Sequence, residues 1–163
     1  LQESPARIPS SSNLTATAIS LYFVVGMLSF AVSRDSLSVS TMIGVSLVSV
    51  AIEGSALYGL LWFKRVQQRF LPTATAVFAC NTLFLIALLP VNYALGSLEP
   101  GTTSEIINTL SVLSLFWWLA IIGYILREAA GISMFQGIVL AFVIELLVAL
   151  AIRNLFSEFS PVT

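Results

Sequence analysis

The sequence predicts an all-α, polytopic integral membrane protein, a helical bundle of five transmembrane helices joined by short loops. Three observations carry that prediction. Hydrophobic residues make up 58% of the chain and charged residues only 9%. Soluble domains carry roughly 25% charged residues, so this composition cannot supply a water-facing surface and excludes an ordinary globular enzyme. The apolar residues gather into five runs of about 20 residues or more, each long enough to cross a hydrocarbon core of about 30 Å at about 1.5 Å per residue. The charges fall between these runs, with two exceptions, Glu53 and Glu145.

Taken in order, residues 1–13 are polar, with Pro5, Pro9 and a run of three serines, and read as a cytoplasmic tail. The chain opens without Met and without a charged region ahead of the first apolar run, so a trimmed or processed chain is expected, and not a signal peptide. Span one covers 14–32 and ends at Ser33-Arg34-Asp35, a turn so short that spans one and two must be antiparallel neighbours. Span two, 39–63, ends in the basic cluster Lys64, Arg65 and Arg69. Span three is placed at 70–95. Pro72 lies in its first turn, where a missing N–H costs nothing, and Pro90 is expected to kink or end it. A polar loop at 96–105 precedes span four, 106–126. The stretch Arg127-Glu128-Ala129-Ala130-Gly131 reads as a turn into span five, 132–152, and 154–163 is a short tail.

Orientation follows from the basic residues. With five spans, Arg7, Lys64, Arg65, Arg69 and Arg127 share one face while Arg34 and Arg153 share the other. The richer face is expected to be cytoplasmic, which places the N-terminus inside and the C-terminus outside. Lys64, Arg65, Arg69 and Arg127 are accordingly read as topology determinants at lipid-headgroup level. Tyr22, Trp62, Tyr93 and Tyr124 are assigned to the span ends, where amphipathic rings prefer to sit, and Trp117 and Trp118 to interior packing.

The chemistry available is narrow. There is no His and one Cys, Cys80, so an intramolecular disulfide and a cysteine zinc cluster are excluded. The basic residues form no stripe of the kind a nucleic-acid binder needs. No nucleophile with a base, no cofactor fingerprint and no metal-ligand spacing appears, so no catalytic residue, metal or cofactor is assigned. What remains is polar residues deep in the spans. An ionisable side chain at mid-bilayer costs about 2.5–3.5 kcal/mol on insertion scales, so Glu53 and Glu145 are expected to face the bundle interior, with Asn81 as an amide partner. Ser46, Ser49, Glu53 and Ala56 share one face of span two; Gly137, Ala141, Glu145 and Ala149 recur every four residues in span five. Small residues at that interval let helices approach closely. Ala51, Ser55 and Gly59 form a second small stripe on span two, which is therefore expected to be central, with neighbours on more than one side. The cluster Glu53, Asn81 and Glu145 reads either as hydrogen-bonded glue that fixes helix register or as a proton, cation or polar-ligand site. An acid turned towards a partner protein is the third reading.

Several local features carry a family resemblance. Gly54-Ser55-Ala56-Leu57-Tyr58-Gly59 precedes the basic turn, and Pro90 lies near the end of span three. Trp117-Trp118-Leu119-Ala120-Ile121-Ile122-Gly123-Tyr124-Ile125-Leu126-Arg127-Glu128-Ala129-Ala130-Gly131-Ile132-Ser133 supplies a Trp-bearing fourth span, a Gly and a short basic turn. In these features the chain resembles the Ypt-interacting protein (Yip) family, in particular its bacterial five-span members. Eukaryotic members carry an Asp-Leu-Tyr-Gly-Pro-type stretch before span one, where this chain has Ser4-Pro5-Ala6-Arg7-Ile8-Pro9. The resemblance therefore implies the five-span architecture and a non-enzymatic role organising membrane partners, and not GTPase binding. It also implies a bacterial inner membrane. A small scaffold or accessory protein, contacting the bilayer and a protein partner or a second copy, is the leading expectation. A proton or cation transporter component using Glu53 and Glu145 is the alternative. A third is lipid handling by a groove lined by Phe116, Trp117 and Trp118.

Overall fold

The computed structural model describes residues 11–32, 38–97 and 102–156. Five α-helices follow one another: α1 (Ser12–Val32), α2 (Val39–Phe63), α3 (Phe70–Ser97), α4 (Thr102–Ala130) and α5 (Met134–Phe156). A 3-10 turn, Gln67–Arg69, leads into α3. All five helices are long and apolar enough to cross a membrane. Their outer faces carry Leu21, Leu47, Leu83, Phe116 and Leu146, the kind of surface a bilayer covers. The tail before Ser11, the Ser33-Arg34-Asp35 turn, the centre of the 96–105 loop and the tail beyond Phe156 lie outside the described residues.

The helix ends are set by local chemistry. Ser38 caps α2, its hydroxyl accepting from the Thr41 N–H. The other end of α2 closes as a Schellman turn: Arg65 takes a left-handed φ of 58°, its N–H donates to the Trp62 carbonyl, and the Val66 N–H reaches the Leu61 carbonyl. Gly131, at φ 65°, ends α4 in the same way, the Ile132 N–H reaching back to the Arg127 carbonyl. Arg127–Ala130 are thus helical, not part of a turn, and α4 is longer than the 106–126 span. Its last carbonyls explain the extension, because Arg69 Nη1 donates to the carbonyls of both Glu128 and Ala129 at 3.2 Å. Arg69 is therefore a tether between the two basic turns, and it shows that both turns lie at one end of the bundle.

A capping box starts α5: the Ser133 hydroxyl accepts from the Gln136 N–H, and the Gln136 side-chain oxygen accepts from the Ser133 N–H. That box moves the start of span five from 132 to Met134, and the helix continues past Arg153 to Phe156. Pro90 does not end α3, which runs on to Ser97. A proline inside a helix removes one N–H donor, and the helix tolerates that loss here.

Packing follows small residues. α1 lies mainly on α3, and α4 mainly on α5. Between α1 and α3, Ala18 and Ala74 are buried beside Phe78, and the Thr15 and Thr75 hydroxyls meet at 2.7 Å. Between α4 and α5 the approach is closer: a Cβ added at Gly137 would overlap the Gly123 carbonyl, and one at Gly123 would sit 2.8 Å from the Ile138 nitrogen. Only glycine permits that contact. α2 packs against α5, α1 and α3 and, less extensively, α4, as expected of a central helix. The largest apolar core, with Leu57, Val77, Trp118, Ile122, Leu126 and Ala141, lies among α2, α3, α4 and α5.

Two expectations about faces fail. Ala51, Ser55 and Gly59 are exposed, and a Cβ at Gly59 would meet nothing within 4 Å, so the second stripe of α2 packs on no other helix. Ala149 is also exposed, whereas Gly137 and Ala141 are buried. α5 therefore uses its small residues nearer the basic end, against α4.

Candidate functional site

The polar residues within the spans converge on Glu53, which is 5% exposed at the middle of α2. Its Oε1 accepts from the Tyr22 hydroxyl at 2.6 Å and its Oε2 from Asn81 Nδ2 at 2.8 Å. Asn81 Oδ1 in turn accepts from Trp118 Nε1 at 2.9 Å. The chain of bonds Tyr22–Glu53–Asn81–Trp118 takes one residue from each of α1, α2, α3 and α4.

Donor and acceptor roles fix the order. An indole N–H can only donate, so the Asn81 carbonyl oxygen must face Trp118 and its amide group must face the carboxylate. The carboxylate then meets a donor at each oxygen. The Tyr22 hydroxyl can donate or accept, so this contact can persist whether or not Glu53 carries a proton. Apolar packing holds the arrangement: the Tyr22 ring lies 5.4 Å from Phe78 and the Trp118 ring 6.1 Å from Phe84. The polar atoms of Tyr22, Glu53, Asn81 and Trp118 are thereby matched with one another, as buried polar groups require.

Glu145 stands apart. It belongs to no hydrogen bond or ion pair given by the described residues, and it is exposed on the flank of α5. The expectation that both acids face the interior thus holds fully for Glu53 and only in part for Glu145, which is exposed overall but lines an interior cavity. The helical period explains the difference: Ala141 is buried at 1% exposure against α4, and α5 turns Glu145 to the edge of that contact. Even so, Glu145 reaches the rim of a small cavity that Glu53, Asn81 and Trp118 also line, of about 20 Å³. A space of that size holds about one water molecule. Glu53 and Glu145, from different helices, therefore line one small and mostly apolar void.

The structure places the remaining site residues as follows. Ser46 and Ser49 are buried on α2; the Ser49 hydroxyl bonds back to the Val45 carbonyl, and the Ser46 hydroxyl packs near Gly26 of α1 without a hydrogen-bond partner. Trp62, Tyr93 and Tyr124 point outward, and the Arg127 guanidinium lies 5.9 Å from the Tyr124 ring centre. Tyr22, assigned to a span end, instead lies midway along α1 and faces inward. Trp117 is 65% exposed and Phe116 64%, while Trp118 is buried. These three aromatics therefore do not line one groove, and Trp117 is not a packing residue. Among the described residues no group of three His, Cys, Asp or Glu could hold a metal ion.

Sequence reasoning missed Tyr22 and Trp118 as partners of the cluster. A signal existed: both are aromatic residues with a polar atom, set deep within an apolar run, and such atoms need a partner when buried.

Comparison with protein-family models, with curated proteins and with solved structures yields no match.

Proposed function

We propose that this chain is a small integral membrane scaffold or accessory protein, non-enzymatic, that acts through helix–helix contacts with a membrane partner, as its resemblance to Yip-type proteins implies. The observation that carries the reading is Glu145, an acid exposed mid-way along an apolar helix with no bonded partner among the described residues. An ionisable side chain left unpaired at that depth costs about 2.5–3.5 kcal/mol, and a partner helix offering it a hydrogen bond removes much of that cost. In this proposal the protein sits in a bacterial inner membrane with the Lys64, Arg65, Arg69 and Arg127 end in the cytoplasm, the N-terminus inside and the C-terminus outside. The test is purification from native membranes in a mild detergent. A defined partner or oligomer is expected with the wild-type chain and is expected to be lost on Glu145→Leu. A particle that stays monomeric and partner-free in both cases overturns the reading.

The cavity shared by Glu53 and Glu145 supports a second reading, a proton or cation pathway component that uses both acids. It predicts flux in proteoliposomes that the Glu53→Gln/Glu145→Gln pair abolishes while the protein stays folded. Absence of flux from wild type overturns it.

A further inference from the structure

α2 and α5 meet closely at one end, where the Phe156 ring lies against Gly44, and together line an open groove at the other. This groove, at the basic end, has a volume of about 410 Å³, within the range of about 300–1,000 Å³ usual for small-molecule pockets. Its walls are apolar, with Leu60 and Phe63 from α2 and Phe135, Val139 and Leu140 from α5; its polar atoms come from Lys64 and Gln136. The two kinds of residue are sorted by depth. Lys64 follows the last residue of α2 and Gln136 lies in the first turn of α5, whereas Leu60 and Leu140 lie a turn further into the bundle. The groove therefore has a cationic mouth at the end of the spans and a hydrocarbon floor.

The charge at the mouth is available. Lys64 is exposed and forms no ion pair among the described residues; the ion pair at this end joins Arg127 to Glu128. Gln136 spends its side-chain oxygen on the Ser133 cap, which leaves its amide NH2 as a donor. Arg69 is occupied by the α4 carbonyls. An ammonium and an amide donor above an apolar slot match a phosphate ester joined to an acyl chain. Neither a free anion nor an uncharged lipid would use both parts.

We propose that this groove is a binding site for one anionic phospholipid, its phosphate held by Lys64 and Gln136 and one acyl chain lying between Phe63, Phe135 and Val139. The site is independent of the Glu53 cluster and of the scaffold reading. The test uses the full chain, delipidated in maltoside micelles and titrated by native mass spectrometry. The probes are dioleoylphosphatidylglycerol, dioleoylphosphatidylcholine and soluble glycerol phosphate. Wild type is expected to bind the phosphatidylglycerol with about fivefold preference, the effect of roughly one well-placed lysine at a membrane surface. Lys64→Gln is expected to erase the preference, Arg65→Gln to keep it, and Val139→Trp, which fills the slot, to weaken both lipids. Equal binding of the two lipids by wild type overturns the proposal, as does a preference that survives Lys64→Gln. Loss of preference in Arg65→Gln equal to that in Lys64→Gln means diffuse surface charge and also overturns it. Glycerol phosphate binding as tightly as the lipid makes the groove an anion site and overturns it too.

Discussion

Asn81 is the joint of the interior network, and replacing it by Leu tests the whole arrangement. The substitution keeps the side chain's approximate size but removes the bond to Glu53 Oε2 at 2.8 Å and the bond from Trp118 Nε1 at 2.9 Å. Side-chain hydrogen bonds between membrane helices average about 0.6 kcal/mol and reach about 1.7. Two of them set a floor near 1 kcal/mol. The loss is larger because a carboxylate oxygen and an indole N–H are left buried without partners, at about 1–3 kcal/mol per orphaned group. Asn81→Leu is therefore expected to destabilise the bundle by about 2–6 kcal/mol, two orphaned groups at about 1–3 kcal/mol each. Glu53→Gln provides the contrast. The glutamine oxygen can accept from Asn81 Nδ2 while its amide donates to the Tyr22 hydroxyl, so both contacts survive and the cost stays below about 1 kcal/mol. The assay is unfolding by dodecyl sulfate titrated into maltoside micelles, followed by near-ultraviolet circular dichroism of the tryptophans. Coupling is then read from a cycle with Trp118→Phe, which removes the indole donor, and residues in one network are expected to couple by about 0.5–1.5 kcal/mol. Asn81→Leu within about 0.5 kcal/mol of wild type, or no coupling to Trp118, would refute the reasoning. Glu53→Gln as damaging as Asn81→Leu would show that the charge, and not the geometry of the bonds, holds the helices.

Two further outcomes follow from the helix contacts and ends. Gly137→Ala places a methyl group against the Gly123 carbonyl, so α4 and α5 must separate; about 1–3 kcal/mol of lost stability is expected in the same titration, typical of overpacking. Arg65→Gly relieves a left-handed residue that closes α2 and is expected to raise stability by about 0.5–1 kcal/mol, seen as a shift of the unfolding midpoint to higher dodecyl sulfate.

The number of spans and the helical class were legible in the sequence, because a bilayer demands about 20 apolar residues per crossing and expels charge to the ends, whereas the turn expected at 127–131 is mostly helix. The pairing of Glu53 with Asn81 was legible for a related reason: polar groups that deep must find one another. The same rule pointed at Glu145, which reaches the interior only at the edge of the cavity, and the small stripes misled at Ser55, Gly59 and Ala149. Hydropathy cannot separate the two faces of such helices. Lipid is as apolar as the packed interior, so a residue that is favourable inside is equally favourable outside.

The sequence by itself determined that this is a five-helix membrane protein with acids in its second and fifth spans. The tertiary structure alone decided which faces meet. The backbone contact of Gly123 with Gly137 sets how α5 lies on α4, and that setting turns Ala141 inward and Glu145 to the edge. The lie of α1 on α3 brings Tyr22 to Glu53, and α4 delivers Trp118 to Asn81. Helical periodicity orders side chains around one helix, whereas rotation and approach between helices depend on close packing of residues far apart in the chain, which no local pattern records.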